Sequence, residues 1–566
     1  KYTAKNLVVD FIKRRRLLSA AILLSVIVGS VLTVLIPLSI GKFYELALND
    51  RHSVKGLFFD ELGLHIDSIQ QYFIFFLSLL LLTAVATYVS SFLSGLIAEY
   101  FSKELREKLF HQQLSHTIDS FKNKTGGKYL MRYSGDLSSI QKLVSKGIIA
   151  FAGDIIFLLI AIIVLFMMNA TLATVFIIGI PVAAVIIYLM NRSLRSHSIE
   201  KRNAKSSMMS FVHARLNAFL TIKTFNRETP EESQFNKKSE KLHRVTVSYL
   251  KHDSLLQSSI PILFYLMLGL VLYLIAIKTP ELKSNIDGEQ VFIFILLTLY
   301  MRAVIKRILK VTTIWQTGKI SLTRLVEIIN YPAEAKDETE LKDIEGNIRF
   351  RNVSFAYSEG KPLLKNISFW LEPNTLTLIR GAHGSGKTSV LKLMMKLMQP
   401  TGGNIFMDDF NYKDLTPYTI RKQIAFVSDD APLLGSNIFE AISYSRDAEK
   451  RERAIQTLEQ LHFTVTGNAE EDLNYKLEEG AKNLSAGQRK MLMIARALNT
   501  RKKFLLLDEP LSDLDEVAQK TFVRLLNKLK KKRTIIVVAA NSPYELMTDK
   551  VIDLEQMQLA FENTGS

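Results

Sequence analysis

The stretch Gly381-Ala382-His383-Gly384-Ser385-Gly386-Lys387-Thr388 fits the pattern G-x-x-x-x-G-K-[ST], which is typical of a phosphate-binding loop. The apolar run at 376–379 predicts a strand before it, and residues 389–394 predict a helix after it. Glycines let successive backbone N–H groups point at bound phosphate, and the helix N-terminus adds its positive dipole. A chance glycine-rich turn would explain neither the strand and helix on either side nor the lysine and threonine.

The polar residues of this loop carry its expected chemistry. Lys387 is predicted to reach the β- and γ-phosphates, and the Thr388 hydroxyl is predicted to ligate Mg²⁺. The residues predicted to bind the nucleotide phosphates are Gly381, His383, Gly384, Ser385, Gly386, Lys387 and Thr388.

Two carboxylates follow a second apolar run downstream. Residues 504–507 predict a buried strand that ends at Asp508 and Glu509. Asp508 is placed to hold Mg²⁺ through water, and Glu509 to polarise the attacking water, which makes Glu509 the predicted catalytic residue. The alternative is an ordinary buried strand with two solvated acids, which the upstream loop makes the weaker interpretation.

The composition predicts a membrane protein of more than one domain. At 566 residues the chain is too long for a single core, and its apolar residues are concentrated in the first 300 positions. The formal net charge is +17, which in a membrane protein indicates basic cytoplasmic loops near anionic lipid. The chain contains no cysteine, so disulfides, thiolate metal sites and cysteine nucleophiles are excluded.

Six segments of the first 330 residues predict membrane-spanning helices. About 20 apolar residues are needed to cross a bilayer. The first segment is long enough, since residues 17–40 contain no charged side chain. The arginines at 14–16 place the N-terminus in the cytoplasm. The second segment keeps its helical pattern well past the thickness of the membrane. The predicted spans are 17–46, 71–106, 147–168, 171–192, 254–277 and 290–315.

The sixth predicted span is unusual because it carries positive charges. Arg302, Lys306 and Lys310 are four residues apart and form one stripe on a helix. One interpretation is a basic lining for an anionic substrate, since charges at membrane depth must face water or protein. The other is that the helix is leaving the membrane and its side chains snorkel. Asp154 in the third span predicts a structural ion pair.

The sequence therefore predicts an α-helical, multi-pass membrane domain followed by an α/β P-loop domain. The membrane domain covers residues 1–330, and a charged segment at 331–346 is the predicted linker. Residues 347–566 alternate short β-like runs with helices, as nucleotide-binding domains do.

A third motif narrows the class of nucleotide-binding protein. Residues 484–488 read L-S-A-G-Q, which resembles the L-S-G-G-Q signature of ABC ATPases. With the phosphate-binding loop and the Asp-Glu strand at these spacings, the whole chain resembles a half-transporter of the type I exporter fold. The signature residues, expected to act on the partner's ATP, are Ser485, Ala486, Gly487 and Gln488.

The resemblance implies both a reaction and a partner. It implies that ATP and Mg²⁺ bind, with Tyr357 stacking on adenine. Each ATP site would use the phosphate-binding loop of one chain and the signature of another, so the chain must dimerise. An ATP-driven exporter of this kind moves a lipid, a peptide or protein, or an amphipathic compound out of the cytoplasm or the inner leaflet. The expected location is a bacterial inner membrane, with the ATPase domain in the cytoplasm.

Three positions depart from the family pattern. Asp429 stands where a glutamine is usual, although its carboxylate could still ligate Mg²⁺. Ala540 stands where a histidine is usual and cannot hydrogen-bond the γ-phosphate; losing one such group commonly costs ~10²–10³-fold in rate. Ala486 replaces the first signature glycine, which could crowd phosphate or strain the backbone. The site is therefore expected to bind MgATP and hydrolyse it slowly.

These departures leave two questions open. The chain either forms the degenerate half of a heterodimer or pairs with a copy of itself in a homodimer that works without the histidine. The heterodimer is favoured. The alternative function is a nucleotide-gated or regulatory membrane protein with little turnover. A soluble ABC ATPase acting on nucleic acid would explain the positive charge, but six largely uncharged spans argue against it, so no nucleic-acid partner is expected. Membrane lipids and the transported substrate are the remaining expected partners.

Overall fold

The apolar segments of the first 330 residues form long helices, as predicted. The computed structural model describes residues 2–48, 66, 68–118, 132–168, 170–277, 288–335, 344–357, 362–444, 447, 449–540 and 546–557. The chain divides into two units. The first comprises Lys1–Gln113 and Gly126–Asn330, and the second comprises Leu114–Thr125 and Tyr331–Ser566.

The first unit is built from helices. They are α1 (Ala4–Arg14), α2 (Arg16–Leu48), α3 (Ile69–Ser115), α4 (Leu137–Lys142), α5 (Phe151–Met168), α6 (Ala170–Asn217), α7 (Phe219–Thr224), α8 (Glu228–Ile277) and α9 (Gly288–Ile329). Two π-helical segments, Arg132–Asp136 and Leu143–Ala150, flank α4, so the helix is continuous from Arg132 to Met168. The 47 residues of α3 would measure about 70 Å, which confirms that this helix extends beyond a bilayer core of about 30 Å.

Four described helical segments are long and apolar enough to cross a membrane. They are Arg16–Tyr44, Ile69–Ser115, Arg132–Met168 and Glu228–Tyr273. The predicted spans at 171–192 and 290–315 lie within α6 and α9 and stay predictions. Four cations, at 302, 306, 307 and 310, interrupt the apolar character of α9.

The core of the first unit lies where α2, α5, α8 and α9 meet. Ala161 of α5, Val271 of α8 and Leu297 and Met301 of α9 are fully buried. The side chains of these four helices thus form one close-packed cluster.

One ion pair joins α5 to α9 beside this core. Asp154 accepts hydrogen bonds from Arg307, at 2.6 Å from Nη2 and 3.1 Å from Nε to Oδ1. The prediction of a structural ion pair at Asp154 is therefore confirmed. Because the Asp154 carboxylate is buried, removing Arg307 would leave an unpaired charge between two helices.

A second polar contact fixes the start of the same long helix. Asp136 is buried and accepts hydrogen bonds from Arg132 at 2.5 Å and from the Ser321 hydroxyl at 2.8 Å. The Trp315 indole N–H donates to the carbonyl of Gly147 at 2.5 Å. A Cβ on Gly147 would lie 2.9 Å from the Trp315 ring, so only glycine allows this close approach.

The second unit contains two sheets. An antiparallel sheet of order β2-β1-β4-β5 consists of β1 (Ile348–Ala356), β2 (Pro362–Leu371), β4 (Gly402–Met407) and β5 (Phe410–Asn411). A parallel sheet of order β6-β7-β8-β3-β9 consists of β3 (Leu376–Arg380), β6 (Ile424–Val427), β7 (Phe504–Asp508), β8 (Thr534–Val538) and β9 (Lys550–Asp553). The central strands β7 and β8 are buried at every residue, which is why they are apolar runs rather than alternating ones.

The helices of the second unit lie between its strands along the chain. They are α10 (Lys387–Met394), α11 (Pro417–Lys422), α12 (Ile438–Ser443), α13 (Glu449–Gln460), α14 (Ala469–Asp472), α15 (Ala486–Leu498) and α16 (Glu516–Leu529). Side-chain N-caps start most of them: Thr416 caps α11, Asn437 caps α12 and Asp515 caps α16.

The start of the predicted linker is part of the second unit. Glu334 accepts two parallel hydrogen bonds from Arg421, at 2.7 and 2.9 Å, and its backbone N–H donates to the Ser115 carbonyl at 2.8 Å. The same guanidinium donates to the carbonyls of Met395 and Lys396, just after α10. Arg421 therefore holds both the chain after α9 and the end of the helix that follows the phosphate-binding loop.

Candidate nucleotide-binding site

The phosphate-binding loop joins β3 to α10, so the predicted strand and helix on either side of it are confirmed. Gly384 and Gly386 have φ angles of +86° and +97°, a region that glycine enters without steric cost. A Cβ on Gly386 would lie 2.7 Å from Cδ2 of Leu364, so both conformation and space require glycine there. His383 is exposed, and the Ser385 N–H donates to the Ala382 carbonyl at 3.2 Å.

Lys387 is buried inside the loop. Its Nζ donates to the carbonyl oxygens of Gly381 at 2.7 Å and Ala382 at 2.9 Å. The ammonium therefore lies within the curve of the loop, at the first residue of α10, where the positive end of the helix dipole adds to its charge. This arrangement favours an anion in the loop.

Asp508 is a buried carboxylate at the end of β7. Burial raises the pKa of Asp508, and a hydrogen bond with the Thr388 side chain opposes that rise. The structure thus brings together Thr388 and Asp508, the two residues predicted to hold Mg²⁺. An oxygen pair of this kind, one hydroxyl and one carboxylate, is what Mg²⁺ prefers in proteins.

Glu509 lies directly after the strand in a constrained backbone conformation. Its φ is +45°, which is rare for a residue other than glycine. The Glu509 N–H donates to the Val538 carbonyl at 2.9 Å, and its own carbonyl accepts from the Ser512 hydroxyl at 2.8 Å. These bonds hold the turn that places a half-buried second carboxylate beside Asp508.

Tyr357 lies just after β1 and reaches the helix of the loop. Its hydroxyl is 2.9 Å from that of Ser389 in α10, and its ring packs edge-on against Phe355 at 5.0 Å. Tyr357 is 54% exposed, so a ligand can reach this residue. Stacking on adenine stays a prediction.

The two degenerate positions lie at the ends of strands in the parallel sheet. Ala540 follows β8, and its methyl group is exposed. Asp429 follows β6, and its Oδ1 accepts a hydrogen bond from Lys490 of α15 at 3.0 Å. The Asp429 carboxylate is therefore paired with a lysine of the same chain, and its role as a Mg²⁺ ligand stays a prediction.

The signature residues form the start of α15. Ser485 caps the helix through a reciprocal capping box: its hydroxyl accepts from the Gln488 N–H at 3.1 Å, while the Gln488 side chain accepts from the Ser485 N–H at 3.0 Å. Ala486 is the first residue of the helix, a position that alanine favours. A Cβ on Gly487 would lie 2.7 Å from the Asp513 carbonyl, so this second glycine is sterically required.

The cationic stripe of α9 lies in the first unit. Arg302 donates to the Tyr265 hydroxyl of α8 at 2.8 Å, with its guanidinium 5.4 Å from the Tyr265 ring centre. Arg302 and Lys306 are half-buried, and Lys310 is exposed. Burial thus decreases along the stripe toward the C-terminus of the helix.

Sequence reasoning missed the cations that hold the segment after β6. Lys490 binds Asp429, Lys392 of α10 binds Asp430 at 2.8 Å, and Arg496 of α15 donates to the carbonyls of Ala431 and Pro432 at 2.8 and 3.0 Å. The signal was present as two adjacent acids at 429 and 430 and a lysine within the signature helix. Their partners lie 38 and 61 residues away along the chain, and spacing alone does not reveal them.

The phosphate-binding loop, the Asp-Glu strand end and the capped signature helix together define a P-loop ATPase of the ABC type. The comparison with protein families agrees. The model for the ABC transporter transmembrane region matches residues 19–305, and the ABC transporter model matches residues 364–512. The chain belongs to the ABC transporter family and is a half-transporter of the exporter type.

Known proteins that are similar to this chain include ABC exporters. The ATP-dependent lipid A-core flippase of Pasteurella multocida is 26% identical over 483 residues, which is 84% of this chain and 83% of that protein. The multidrug resistance ABC transporter ATP-binding and permease protein of Lactococcus lactis is 24% identical over 490 residues, covering 86% and 82%. A bacterial Atm1-family ABC exporter with ATP bound has the same fold, with a TM-score of 0.81, 16% identity, and coverage of 97% and 96%.

These findings confirm the predicted fold class and membrane location. A helical membrane domain is followed by an α/β ABC ATPase, and the chain is an ATP-driven exporter subunit that couples ATP hydrolysis to transport. Half-transporters of this family work as dimers, so one chain is half of the functional transporter. The nucleotide is the cofactor that the ATPase family implies.

Proposed function

We propose that this exporter moves an anionic, lipid-like amphiphile from the inner leaflet of the membrane. The observation that supports this proposal most directly is the stripe Arg302, Lys306 and Lys310 on α9. Arg302 and Lys306 are half-buried within a helix whose neighbours are apolar, where a charge is costly unless it faces water, protein or an anionic ligand. The name of the flippase relatives, which act on lipid A-core, supports an amphiphile of the same general class.

The arrangement of Arg302 supports a binding role rather than snorkelling. Its guanidinium contacts both the hydroxyl and the ring of Tyr265 on the neighbouring helix. That contact holds the planar group in one orientation, and a positioned guanidinium can bind a phosphate or carboxylate through two hydrogen bonds. Lys306 lies one turn further along the same face.

In the ATPase unit, the residues present fit a nucleotide with Mg²⁺. Lys387 and the backbone N–H groups of the loop would hold the phosphates, and Tyr357 would stack on adenine. Thr388 and Asp508 would hold Mg²⁺, which neutralises phosphate charge when bound. Glu509 would accept a proton from the attacking water. Glu509 is half-buried, so water can still reach its carboxylate.

The degenerate positions support slow hydrolysis at this chain's own site. Ala540 offers no hydrogen bond to the γ-phosphate, and Asp429 is paired with Lys490. Glu509, Asp508, Lys387 and Thr388 are all present, so the site keeps the groups that bind phosphate and activate water. The proposal is therefore a reduced rate rather than an inactive site.

The second chain of the dimer is either a copy of this chain or a different half-transporter. The degenerate positions favour pairing with a different half-transporter that supplies the faster site, while the relatives give no support to that preference. Expression of this chain alone separates the two pairings. A dimer of two identical chains that hydrolyses ATP supports the homodimer, and a chain that stays monomeric or is inactive supports the heterodimer.

Stimulation of ATP turnover by candidate substrates tests the substrate class. The purified transporter, in nanodiscs of zwitterionic lipid, is titrated with an anionic lipid and with a zwitterionic lipid of the same chains. We expect the anionic lipid to raise turnover, and the triple variant Arg302→Gln, Lys306→Gln, Lys310→Gln to lose that rise. The matched control is Lys520→Gln, an exposed lysine of α16 far along the chain. Equal stimulation in the triple variant would contradict the proposal.

The same titration separates transport from regulation. A nucleotide-gated protein with little turnover would bind ATP without any substrate-dependent change in rate. A coupled exporter hydrolyses ATP faster when its substrate is present.

A further inference from the structure

The segment Ser428–Pro432 after β6 is held from two sides by buried or partly buried lysines. On one side, Nζ of Lys490 lies 3.0 Å from Oδ1 of Asp429. On the other, Nζ of Lys392 lies 2.8 Å from Oδ2 of Asp430. Lys392 belongs to α10, the helix of the phosphate-binding loop, and Lys490 belongs to α15, the helix of the signature. The two adjacent acids therefore connect the helices that serve two different ATP sites of a dimer.

The pair of Asp429 and Lys490 is strongly asymmetric. The Lys490 side chain is 1% exposed, whereas the Asp429 side chain is 68% exposed. A buried ammonium without a counter-ion is costly, while an exposed carboxylate without a partner is solvated by water. The lysine therefore depends on the aspartate far more than the aspartate depends on the lysine.

The signature helix holds the same segment at a second point. Arg496, two turns beyond Lys490 on α15, is 8% exposed and donates to the carbonyls of Ala431 and Pro432. The signature residues Ser485 to Gln488 form the start of α15. A movement of this segment would therefore move the signature residues through α15. Lys490 and Arg496 thus both hold this segment against the signature helix.

The other end of the connection lies next to the proposed Mg²⁺ carboxylate. Lys392 lies on α10, the helix that begins with Lys387 of the phosphate-binding loop. Its ion pair with Asp430, which is adjacent in sequence to Asp429, therefore connects this segment to the helix of the loop.

We propose that Asp429 serves as the counter-ion of the buried Lys490 ammonium, not as a metal ligand. The ion pair stands in place of the usual glutamine and neutralises the ammonium, while Arg496 also holds the segment after β6 to the signature helix. This segment then links the phosphate-binding loop of one chain to the signature that the same chain presents to its partner's ATP. The expected effect of the pair on turnover rests on the proposed function. The ion pair itself does not depend on it.

Four forms of the full-length chain in nanodiscs test this proposal: wild type, Asp429→Asn, Lys490→Met and the double variant. Asp429→Asn strands the buried ammonium, and we expect ATP turnover to fall ~10-fold or more because the signature helix shifts. Lys490→Met leaves only an exposed carboxylate, so turnover should stay within ~3-fold of wild type. In the double variant neither charge remains, and turnover should return to within ~3-fold of wild type. Lys520→Met, which breaks the exposed pair with Glu516, is the control.

A metal-ligand role for Asp429 gives a different pattern. Asp429→Asn would then raise the Mg²⁺ concentration needed for half-maximal turnover, and adding Lys490→Met would not reverse it. A double variant as slow as Asp429→Asn, or a Lys490→Met variant equally slow, overturns the proposal. Thermal unfolding of the four forms without nucleotide reads the pair independently of turnover. If wild type hydrolyses no ATP even in the functional dimer, the proposed function fails, while a melting temperature lowered by Asp429→Asn and restored in the double variant still supports the pair.

Discussion

Asp508 is held at the end of β7, where its ionised form is costly to bury. Its pKa is raised mainly by burial, so the folded chain binds a proton more tightly than the unfolded chain. Stability therefore falls as the pH rises from the usual aspartate range through the raised pKa, and the loss persists above it. A carboxylate kept under this strain is suited to a counter-charge such as Mg²⁺.

Replacing Asp508 should uncouple stability from activity. We expect Asp508→Asn to abolish this pH-dependent loss of stability and to reduce ATP turnover by ~10²-fold or more, since one positioned charge is removed. Thermal unfolding without Mg²⁺ between pH 4 and 8 measures the first effect. The control is Asp409→Asn, at an exposed aspartate. Melting curves of wild type and Asp508→Asn that stay parallel across this range would refute the account of Asp508.

Ala540 is the residue whose replacement should speed the reaction. A histidine there could hydrogen-bond the γ-phosphate, and we expect Ala540→His to raise ATP turnover by about 10-fold. Its methyl group is exposed, so the larger ring meets no buried neighbour. Ala540→Phe, which adds bulk without a hydrogen bond, is the matched control. If both variants turn over ATP at the wild-type rate, a limiting role for Ala540 is wrong.

At the scale of elements, the signature helix shows which glycine matters. Gly487 approaches the Asp513 carbonyl so closely that a methyl group would lie 2.7 Å from it, whereas Ala486 already carries a methyl group at the first helical position. We expect Gly487→Ala to displace the loop around Asp513 and to lower turnover by ~10-fold or more. Ala486→Gly should cost about 1 kcal/mol of helix stability at most and leave turnover within ~3-fold. Steady-state ATP hydrolysis of the two variants tests this expectation. A Gly487→Ala variant that keeps the wild-type rate would contradict the packing argument.

Elements with a strong local pattern could be predicted from the sequence. Strands β3 and β7 and helix α10 lie where the apolar runs placed them, because a buried parallel strand needs an uninterrupted apolar segment. Helix ends were less predictable: the third span was placed from 147, but π-helical turns continue the helix back to Arg132. The end of a helix depends on tertiary contacts, here those of Asp136 with Ser321, which a local pattern does not contain.

Ion pairs between distant residues were predicted only in part. The burial of a lone acid at 154 was enough to predict a pair, but Arg307 as its partner comes from α9, 153 residues later. The burial of Lys490 could not be read from the sequence, since a lysine in a charged helix is usually solvated, and the depth of its burial depends on how α15 packs. Motifs thus locate the chemistry, while folding decides which charges hold it together.

For the whole molecule, the account joins an anionic amphiphile in the membrane unit to ATP hydrolysis in the second unit. The measurement that tests this most directly records ATP hydrolysis and translocation of a fluorescent anionic lipid in the same vesicles, reconstituted with the functional dimer. We expect wild type to show both, with both rates falling together by ~10²-fold or more when Glu509→Gln is combined with the same change at the catalytic glutamate of the second chain, because neither site can then accept the proton from water. The control is Lys520→Gln, which should keep both rates. Lipid translocation that continues undiminished in the combined variant, or hydrolysis without any translocation in wild type, would contradict the account.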